Sequence, residues 1–308
     1  MPTPTPPTDT APTDVPFAEQ HYGTVTVLTA ANGGVVPYGN SVVVRGSEGT
    51  LVIDPSLALD RDPVGADAVL ISHAHEDHIA GLRHFDADTY AHDLDAPAVG
   101  SLEVLIAGYG LEPDELDAMS DALVTDYGLP AERPGVIGID AGHTFDLGDH
   151  IATVIHLPGH TAGHCGVLIE PDGFLYLADI DLTSFGPMYG DVGSSVDDFL
   201  TSIDRVGEID ARWYGTFHHK GVVTGRAEFA TRLAAYRSRI LEREARLVEF
   251  LAEPRTFDEI VAHRLVYRPH VDAPWVNAVE RRTATLHLER LIGVGAVDEA
   301  EPGRYRRM

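Results

Sequence analysis

The chain has 308 residues and a formal net charge of −26, with 48 Asp and Glu against 22 Lys and Arg. A field this acidic repels phosphate, which excludes binding to nucleic acid or to an anionic membrane by bulk electrostatics. Cys165 is the single cysteine, which excludes an intramolecular disulfide framework, and no apolar run is long enough to cross a bilayer. Since the first residues also lack the features of a secretory signal, we expect a soluble cytoplasmic protein.

The first part of the chain predicts strands that alternate with helices. Residues 1–16 are rich in Pro, Thr and Asp and predict a disordered tail. Strands are predicted from TVTVLTA, NSVVVRG, TLVIDP and AVLIS, and then a helical insert of two helices at about 97–128. Further strands are predicted from HIATVIHLP, CGVLIE and FLYLADI, followed by a helix at 196–208 and the strand ARWYGTFHH.

The C-terminal part predicts helices and a final hairpin. Apolar residues at helical spacing predict a connecting helix at 226–254. Thr256 and Glu259 form a capping box for the next helix, and a further helix and a hairpin complete residues 255–308. Helices followed by a hairpin predict a small winged-helix-like domain, which leaves residues 17–225 as the catalytic domain.

One segment, SHAHEDH, concentrates metal-binding side chains between a predicted strand and a predicted helix. It contains His73, His75, Glu76, Asp77 and His78. Imidazole nitrogens and carboxylates are ligands of Zn²⁺ and Fe²⁺, and five such groups exceed the needs of a single ion. A solvated His-rich loop is the alternative, but the spacing H-x-H-x-D-H seldom arises by chance. The segment therefore predicts a site for two metal ions.

Other predicted strand ends carry the same residue types. His160 lies in LPGHTAGH, Asp179 lies at the end of the strand predicted from FLYLADI, and His218 and His219 end ARWYGTFHH. Each alone is weak evidence, because a strand-terminal Asp is commonly a turn former and a lone His is commonly a surface or core residue. Their recurrence is stronger evidence, since loops at one edge of a sheet converge on one site.

These motifs together resemble the metallo-β-lactamase fold superfamily over about residues 20–225. The resemblance implies the α/β fold class, as a four-layer αβ/βα sandwich with a dinuclear site at one edge of its sheets. It implies a first metal held by three histidines, a second held by an aspartate and two histidines, and an aspartate that bridges both. In that order, the implied ligands are His73, His75 and His160, then Asp77, His78 and His219, and then Asp179.

Three positions need separate comparison with the family. Aligning HHKGVV with the family's G-H-G-P-x-x turn favours His219 over His218, but Lys220 stands where the family has glycine, so the register can slip by one. Asp54, which ends TLVIDP, corresponds to an acid that orients the ligand-bearing loop from outside the metal ligands. One branch of the superfamily uses a cysteine ligand, but we interpret Cys165 as a small buried strand residue.

The implied site predicts a metal-dependent hydrolase. Two divalent ions, zinc first with iron or manganese as alternatives, would activate a water or hydroxide against a small ester, thioester or lactone. Asp77 and Asp179 would be the catalytic carboxylates. The long helix and the C-terminal unit resemble the glyoxalase II-like branch, in particular its β-lactamase-like 2 subgroup. The alternatives are an endoribonuclease or phosphodiesterase, and a mononuclear iron oxygenase, both of the same fold.

The charge of the C-terminal unit bears on its partners. Residues 255–308 contain nine Arg and eight Asp and Glu, so this unit is nearly neutral on a strongly acidic body. Such a unit is a poor phosphate binder, which favours a lid or a dimerisation element over a nucleic-acid reader. We therefore expect a small-molecule substrate, neither nucleic acid nor membrane as partner, and a homodimer as one possible assembly.

Overall fold

The computed structural model describes residues 17–30, 33–60, 62–271, 273 and 275–308. The predicted disordered tail, residues 1–16, lies outside the described residues. Two β-sheets form the centre of the fold, and a third, small sheet lies in the C-terminal part. No helix in the described part of the chain is both long enough and apolar enough to cross a membrane.

The first sheet has seven strands in sequence order, antiparallel through its first four and parallel thereafter. Its strands are β1 (Phe17–Tyr22), β2 (Val25–Ala30), β3 (Ser41–Arg45), β4 (Thr50–Ile53), β5 (Ala68–Ile71), β6 (Asp88–His92) and β7 (Ile137–Ile139). The second sheet has six strands in the order β13-β12-β11-β10-β9-β8. They are β8 (Thr144–Asp146), β9 (Ile151–His156), β10 (Cys165–Glu170), β11 (Phe174–Tyr176), β12 (Trp213–Gly215) and β13 (Val222–Thr224).

The helices are α1 (Glu76–Ile79), α2 (Ala96–Gly100), α3 (Leu102–Gly108), α4 (Leu116–Thr125), α5 (Val196–Glu208), α6 (Arg226–Phe250), α7 (Phe257–His263) and α8 (Val276–Gly293). Helices of the insert cover the outer face of the first sheet, α5 and α6 cover that of the second, and α7 and α8 lie in the C-terminal part. One apolar cluster lies between the sheets, a second joins the first sheet to α3 and α4, and a third joins the second sheet to α5 and α6. The predicted four-layer sandwich is therefore confirmed.

Alternation along the strands explains these layers. In β3, for example, Val42 and Val44 belong to the cluster between the sheets, whereas Val43 packs towards the helices. Successive side chains of a strand point to opposite faces, so a run of valines fills both layers. The patterns NSVVVRG and TLVIDP, buried on both faces, are thus typical of strands inside a sandwich.

Several strands, and the interruption between two helices, were not predicted from the sequence. Exposed β1 and the polar β6 (DTYAH) lack the apolar runs that predict strands, and β7 and β8 have three residues each. They form because they pair with neighbours in the sheets, which a local pattern does not show. The predicted pair of helices at 97–128 is three, because Ser101 adopts an extended conformation between α2 and α3.

The C-terminal part contains α7, α8 and a sheet in the order β14-β16-β15. These strands are β14 (Arg255–Thr256), β15 (Val297–Glu301) and β16 (Arg304–Arg307). The capping box of Thr256 and Glu259 is present as predicted. This part has its own apolar cluster, which includes Leu251 from the end of α6 and Ile260 from α7. The winged-helix likeness and the domain boundaries stay predictions.

Candidate metal centre

Four side chains from three loops form a first cluster at one edge of the two sheets. His73 and His75 follow β5, His160 follows β9 and Asp179 follows β11. His73 Nε2 and His75 Nδ1 are 3.1 Å apart, and His160 Nε2 lies 3.1 Å from the first and 3.0 Å from the second. Asp179 Oδ2 lies 3.3 Å from His160 Nε2. Three ring nitrogens and a carboxylate oxygen therefore converge on one point.

A second cluster lies directly beside the first. His218 Nε2 is 3.1 Å from Asp77 Oδ2, and His78 Nε2 is 3.9 Å from Asp77 Oδ1. Asp179, a member of the first cluster, also borders the second, because its Oδ1 lies 3.1 Å from His78 Nε2 while its Oδ2 faces the first cluster. The structure thus brings six of the seven favoured ligands together, with Asp179 between the two groups.

At the seventh position the structure differs from the favoured sequence prediction. The alignment favoured His219, but the side chain in the second cluster is that of His218, the alternative. Both residues lie in the turn that joins β12 to β13, which the Thr216 N–H closes by donating to the Gly221 carbonyl at 2.7 Å. This turn keeps His218 buried at the strand end and puts His219, with φ 50°, on the exposed tip. Turn geometry, which motif alignment does not contain, sets the register.

All five clustered histidines have their second ring nitrogen close to a partner outside the clusters. The contacts are His73 Nδ1 to Ser72 Oγ at 3.0 Å, His75 Nε2 to Asp191 Oδ2 at 2.8 Å, His78 Nδ1 to Asp54 Oδ2 at 2.9 Å, His160 Nδ1 to the Met188 carbonyl at 2.8 Å, and His218 Nδ1 to the Gly34 carbonyl at 2.8 Å. A carboxylate or carbonyl partner requires the facing nitrogen to carry a proton, so the inward nitrogen offers a lone pair when the ring is neutral, as a bound metal ion would make it.

Asp54 lies beneath the ligand-bearing loop, where the resemblance places it. Its fully buried carboxylate accepts hydrogen bonds from the Ser72 backbone N–H at 2.7 Å, the Ser72 hydroxyl at 2.6 Å and the Tyr176 hydroxyl at 2.7 Å. It also holds His78 Nδ1. One carboxylate therefore fixes both the start of the loop and the ring orientation of His78.

The buried carboxylates of the site need positive charge to balance them. Burial lowers the pKa of His78, but Asp179 and Asp54 outweigh burial and raise that pKa to about 9. Burial likewise lowers the pKa of His218, and Asp179 and Asp77 raise it to about 10. By contrast, burial and the neighbouring His78 hold the pKa of His73 well below its ordinary value. Protons on His78 and His218 thus balance part of the buried negative charge, and bound cations would release those protons.

The donor set fits divalent metal ions. His78 Nε2 and Asp179 Oδ1 lie 3.1 Å apart beside the second cluster, and neither meets a partner with hydrogen-bond geometry among the described residues. Leaving a buried polar atom unpaired costs about 1–3 kcal/mol, so such atoms commonly serve a ligand. Imidazole and carboxylate ligands suit zinc, iron and manganese, and the two clusters would hold one ion each.

Sequence reasoning missed Asp191, the partner of His75. It lies 116 residues further along the chain, in a Gly-rich loop without secondary structure, and no motif marks it. Cys165 is outside both clusters, and its buried Sγ donates to the Gly163 carbonyl at 3.2 Å. Burial raises the pKa of its thiol, in keeping with a small buried strand residue.

A pocket of about 610 Å³ opens onto the two clusters. Its walls come from the helical insert, from the loop at 182–194, from α6 and from the C-terminal part, and they are mostly apolar or aromatic. They include Tyr109, Met119, Tyr127, Phe185, Met188, Tyr236, Tyr267, Trp275 and Val279. The chain's single lysine, Lys220, and the exposed His219 also line this pocket. The pocket suits a substrate whose apolar part contacts these walls and whose polar group lies at the two clusters of candidate metal ligands.

Sequence comparisons find a matching family model and two distant relatives. A family model described as Metallo-beta-lactamase superfamily matches residues 34–218. Acyl-coenzyme A thioesterase MBLAC2 of Gallus gallus is 27% identical over 203 residues, covering 55% of this chain and 67% of the relative. Probable polyketide biosynthesis zinc-dependent hydrolase BaeB of Bacillus velezensis is 27% identical over 169 residues, covering 53% of this chain and 63% of the relative. The matches thus span about two thirds of these curated relatives.

Solved structures share the fold over most of the chain. A metallo-beta-lactamase family protein from Thermus thermophilus has a TM-score of 0.65 at 21% identity, covering 89% of this chain and 96% of that protein. A beta-lactamase domain protein from Burkholderia ambifaria has a TM-score of 0.69 at 19% identity, covering 92% of each chain. At these identities the likeness establishes the fold alone.

Proposed function

This chain belongs to the metallo-beta-lactamase superfamily, and we propose that within it the protein hydrolyses small acyl thioesters. Family membership and two hydrolase-named relatives make the chain a metallo-hydrolase. One observation carries the substrate proposal: two clusters of candidate metal ligands, joined through Asp179, lie against a pocket with apolar and aromatic walls. The name of the thioesterase relative favours a thioester over an ester or lactone.

The proposed centre holds two divalent ions, with zinc favoured by the zinc-dependent relative. Pairs of divalent ions activate water as a nucleophile and polarise a carbonyl oxygen. The chain's own contribution is orientation: the Tyr236 hydroxyl donates to the Asp179 carbonyl at 2.9 Å, and the Asp179 N–H donates to His164 Nε2 at 3.2 Å. These contacts fix Asp179, whose carboxylate, together with that of Asp77, is the proposed proton acceptor.

Two alternative activities of the same fold receive less support. A mononuclear iron oxygenase needs one cluster, whereas the second group of Asp77, His78 and His218 would have no role in it. An endoribonuclease or phosphodiesterase must attract a polyanion, but the chain has a net charge of −26 and one lysine. We also propose a small-molecule partner, neither nucleic acid nor membrane, a cytoplasmic location, and a homodimer as one possible assembly.

A substrate panel tests the proposed activity. The zinc-loaded full chain should be assayed with an acyl thioester, the matching oxygen ester, a lactone and a phosphodiester. We expect the highest kcat/KM for the thioester and no turnover of the phosphodiester above an Asp179→Ala control. Phosphodiester cleavage faster than thioester cleavage would contradict the proposal.

From the position of Lys220 in the pocket, we expect the enzyme to prefer acyl groups that carry a negative charge. Lys220 is exposed within the pocket, and an exposed ion pair contributes up to ~1 kcal/mol, which is about fivefold in binding. We expect Lys220→Ala to lower, by up to about that factor, the ratio of kcat/KM for a carboxylate-bearing thioester to that for its neutral analogue. Lys220→Arg, which keeps the charge, should preserve most of the ratio. An unchanged ratio in Lys220→Ala would exclude this role.

A further inference from the structure

Arg282, on α8 of the C-terminal part, holds the backbone of the loop at 191–194. Its Nε donates to the Asp191 carbonyl at 3.0 Å, and its Nη2 donates to the carbonyls of Val192 at 2.9 Å and Ser194 at 3.1 Å. The planar guanidinium presents several donors in a fixed fork, which a lysine ammonium on its flexible stem does not. One side chain therefore fixes the relative positions of three carbonyl groups.

The same loop holds two histidines of the first cluster. Its Asp191 Oδ2 lies 2.8 Å from His75 Nε2, and the buried Ser194 hydroxyl donates to the His160 carbonyl at 2.6 Å. The Asp191 N–H in turn donates to Ser194 Oγ at 3.0 Å, so these two contacts belong to one rigid turn. A shift of this loop would therefore move His75 and His160 together, away from His73 and Asp179 of the same cluster.

Helix α8 also shapes the pocket next to this loop. The Glu280 carboxylate, 2% exposed, accepts hydrogen bonds from the N–H groups of Leu265 at 2.7 Å, Val266 at 3.0 Å and Tyr267 at 2.6 Å. Tyr267 lines the pocket, as does Val279 of the same helix. Three backbone donors on one buried carboxylate keep this segment, and with it the tyrosine, in place.

The approach between α8 and the loop is close enough to exclude a side chain. A Cβ on Gly190, one residue before Asp191, would lie 2.7 Å from Val279 Cγ2. Real Cβ atoms essentially never come so near, so this glycine lets the helix and the loop pack directly. The contact of Arg282 with the loop is therefore part of a packed interface.

We propose that Arg282 is a positioning residue of the metal centre. It acts through Asp191 on His75, so the C-terminal part contributes to the geometry of the active site. Partners outside the metal ligands orient those ligands, and their loss typically costs about 10–100-fold in metal affinity. The inference concerns metal affinity and goes beyond the proposed activity, because it holds for any substrate. Its failure and the failure of the thioesterase proposal are therefore distinguishable.

A double-mutant cycle on zinc affinity tests this proposal. Metal-free full chain should be titrated with zinc against a chromogenic chelator, as wild type, Arg282→Ala, Asp191→Asn and the double variant. We expect Asp191→Asn to weaken one of the two sites by about 10–100-fold and Arg282→Ala to weaken the same site by about fivefold or more. The double variant should bind as the Asp191→Asn variant does, because both changes weaken the same orienting contact with His75.

Two further variants separate positioning from stability. Arg281→Ala removes the neighbouring arginine and its 3.3 Å ion pair with Glu112, without touching the loop, and should keep wild-type zinc affinity. Arg282→Lys keeps the charge but not the fork, and should lose affinity nearly as Arg282→Ala does. Wild-type affinity in folded Arg282→Ala, or fully additive losses, would overturn the proposal. If Arg282→Ala does not fold, wild-type affinity in Arg282→Lys would overturn it.

Discussion

Replacing His218 with alanine is expected to abolish measurable turnover and to remove one of the two metal ions. The change deletes a ring nitrogen 3.1 Å from Asp77 Oδ2 and leaves the second cluster with two ligands, His78 and Asp77, beside the shared Asp179. Loss of a direct ligand should exceed the roughly 10–100-fold effect of losing an outer partner. The measurements are elemental analysis of the purified variant and its rate with the thioester substrate.

His219→Ala is the matched control for metal content. Its side chain lies on the exposed tip of the turn, outside both clusters, so this variant should keep the metal content of the wild type. If His219→Ala lost an ion while His218→Ala kept both, the ligand assignment made from the structure would be wrong and the sequence alignment would be right.

Replacing Asp54 with alanine is expected to lower the free energy of unfolding by about 3 kcal/mol or more. The change leaves the Ser72 N–H, the Ser72 hydroxyl, the Tyr176 hydroxyl and His78 Nδ1 without their buried acceptor. Each unpaired buried donor costs about 1–3 kcal/mol, and the residues can relax to recover only part of that sum. Urea unfolding of the metal-free chain measures the loss without a contribution from metal binding.

Asp204→Ala provides the surface control for that experiment. Its carboxylate is 59% exposed and pairs with Arg237 at 2.8 Å, so its removal should change the free energy of unfolding by less than about 1 kcal/mol. A loss in Asp54→Ala no larger than in Asp204→Ala would mean that Asp54 does not stabilise the ligand-bearing loop.

The local part of the metal site was predictable from the sequence because it lies in one loop. His73, His75, Asp77 and His78 all follow β5 within seven residues, and the strand before them has a clear apolar pattern. His160 could be added because it lies in LPGHTAGH, a glycine-containing turn after a strand that resembles a motif of the family. Short-range spacing therefore carried most of the ligand set.

The remaining features depend on long-range geometry. The choice between His218 and His219 follows from how the turn between β12 and β13 closes, and the pairing of His75 with Asp191 joins residues 116 positions apart. Neither produces a local pattern. The role of α8 was invisible for the same reason, because Arg282 contacts backbone carbonyls, which every residue possesses.

The metal content of the zinc-loaded, purified full chain tests the central claim most directly. The two adjacent clusters, with Asp179 shared between them, predict two divalent ions per chain. Replacing His75 or Asp77 with alanine should lower that number and abolish thioester turnover. A wild-type chain that binds one ion or none when saturated with zinc, or undiminished turnover in either variant, would contradict the account.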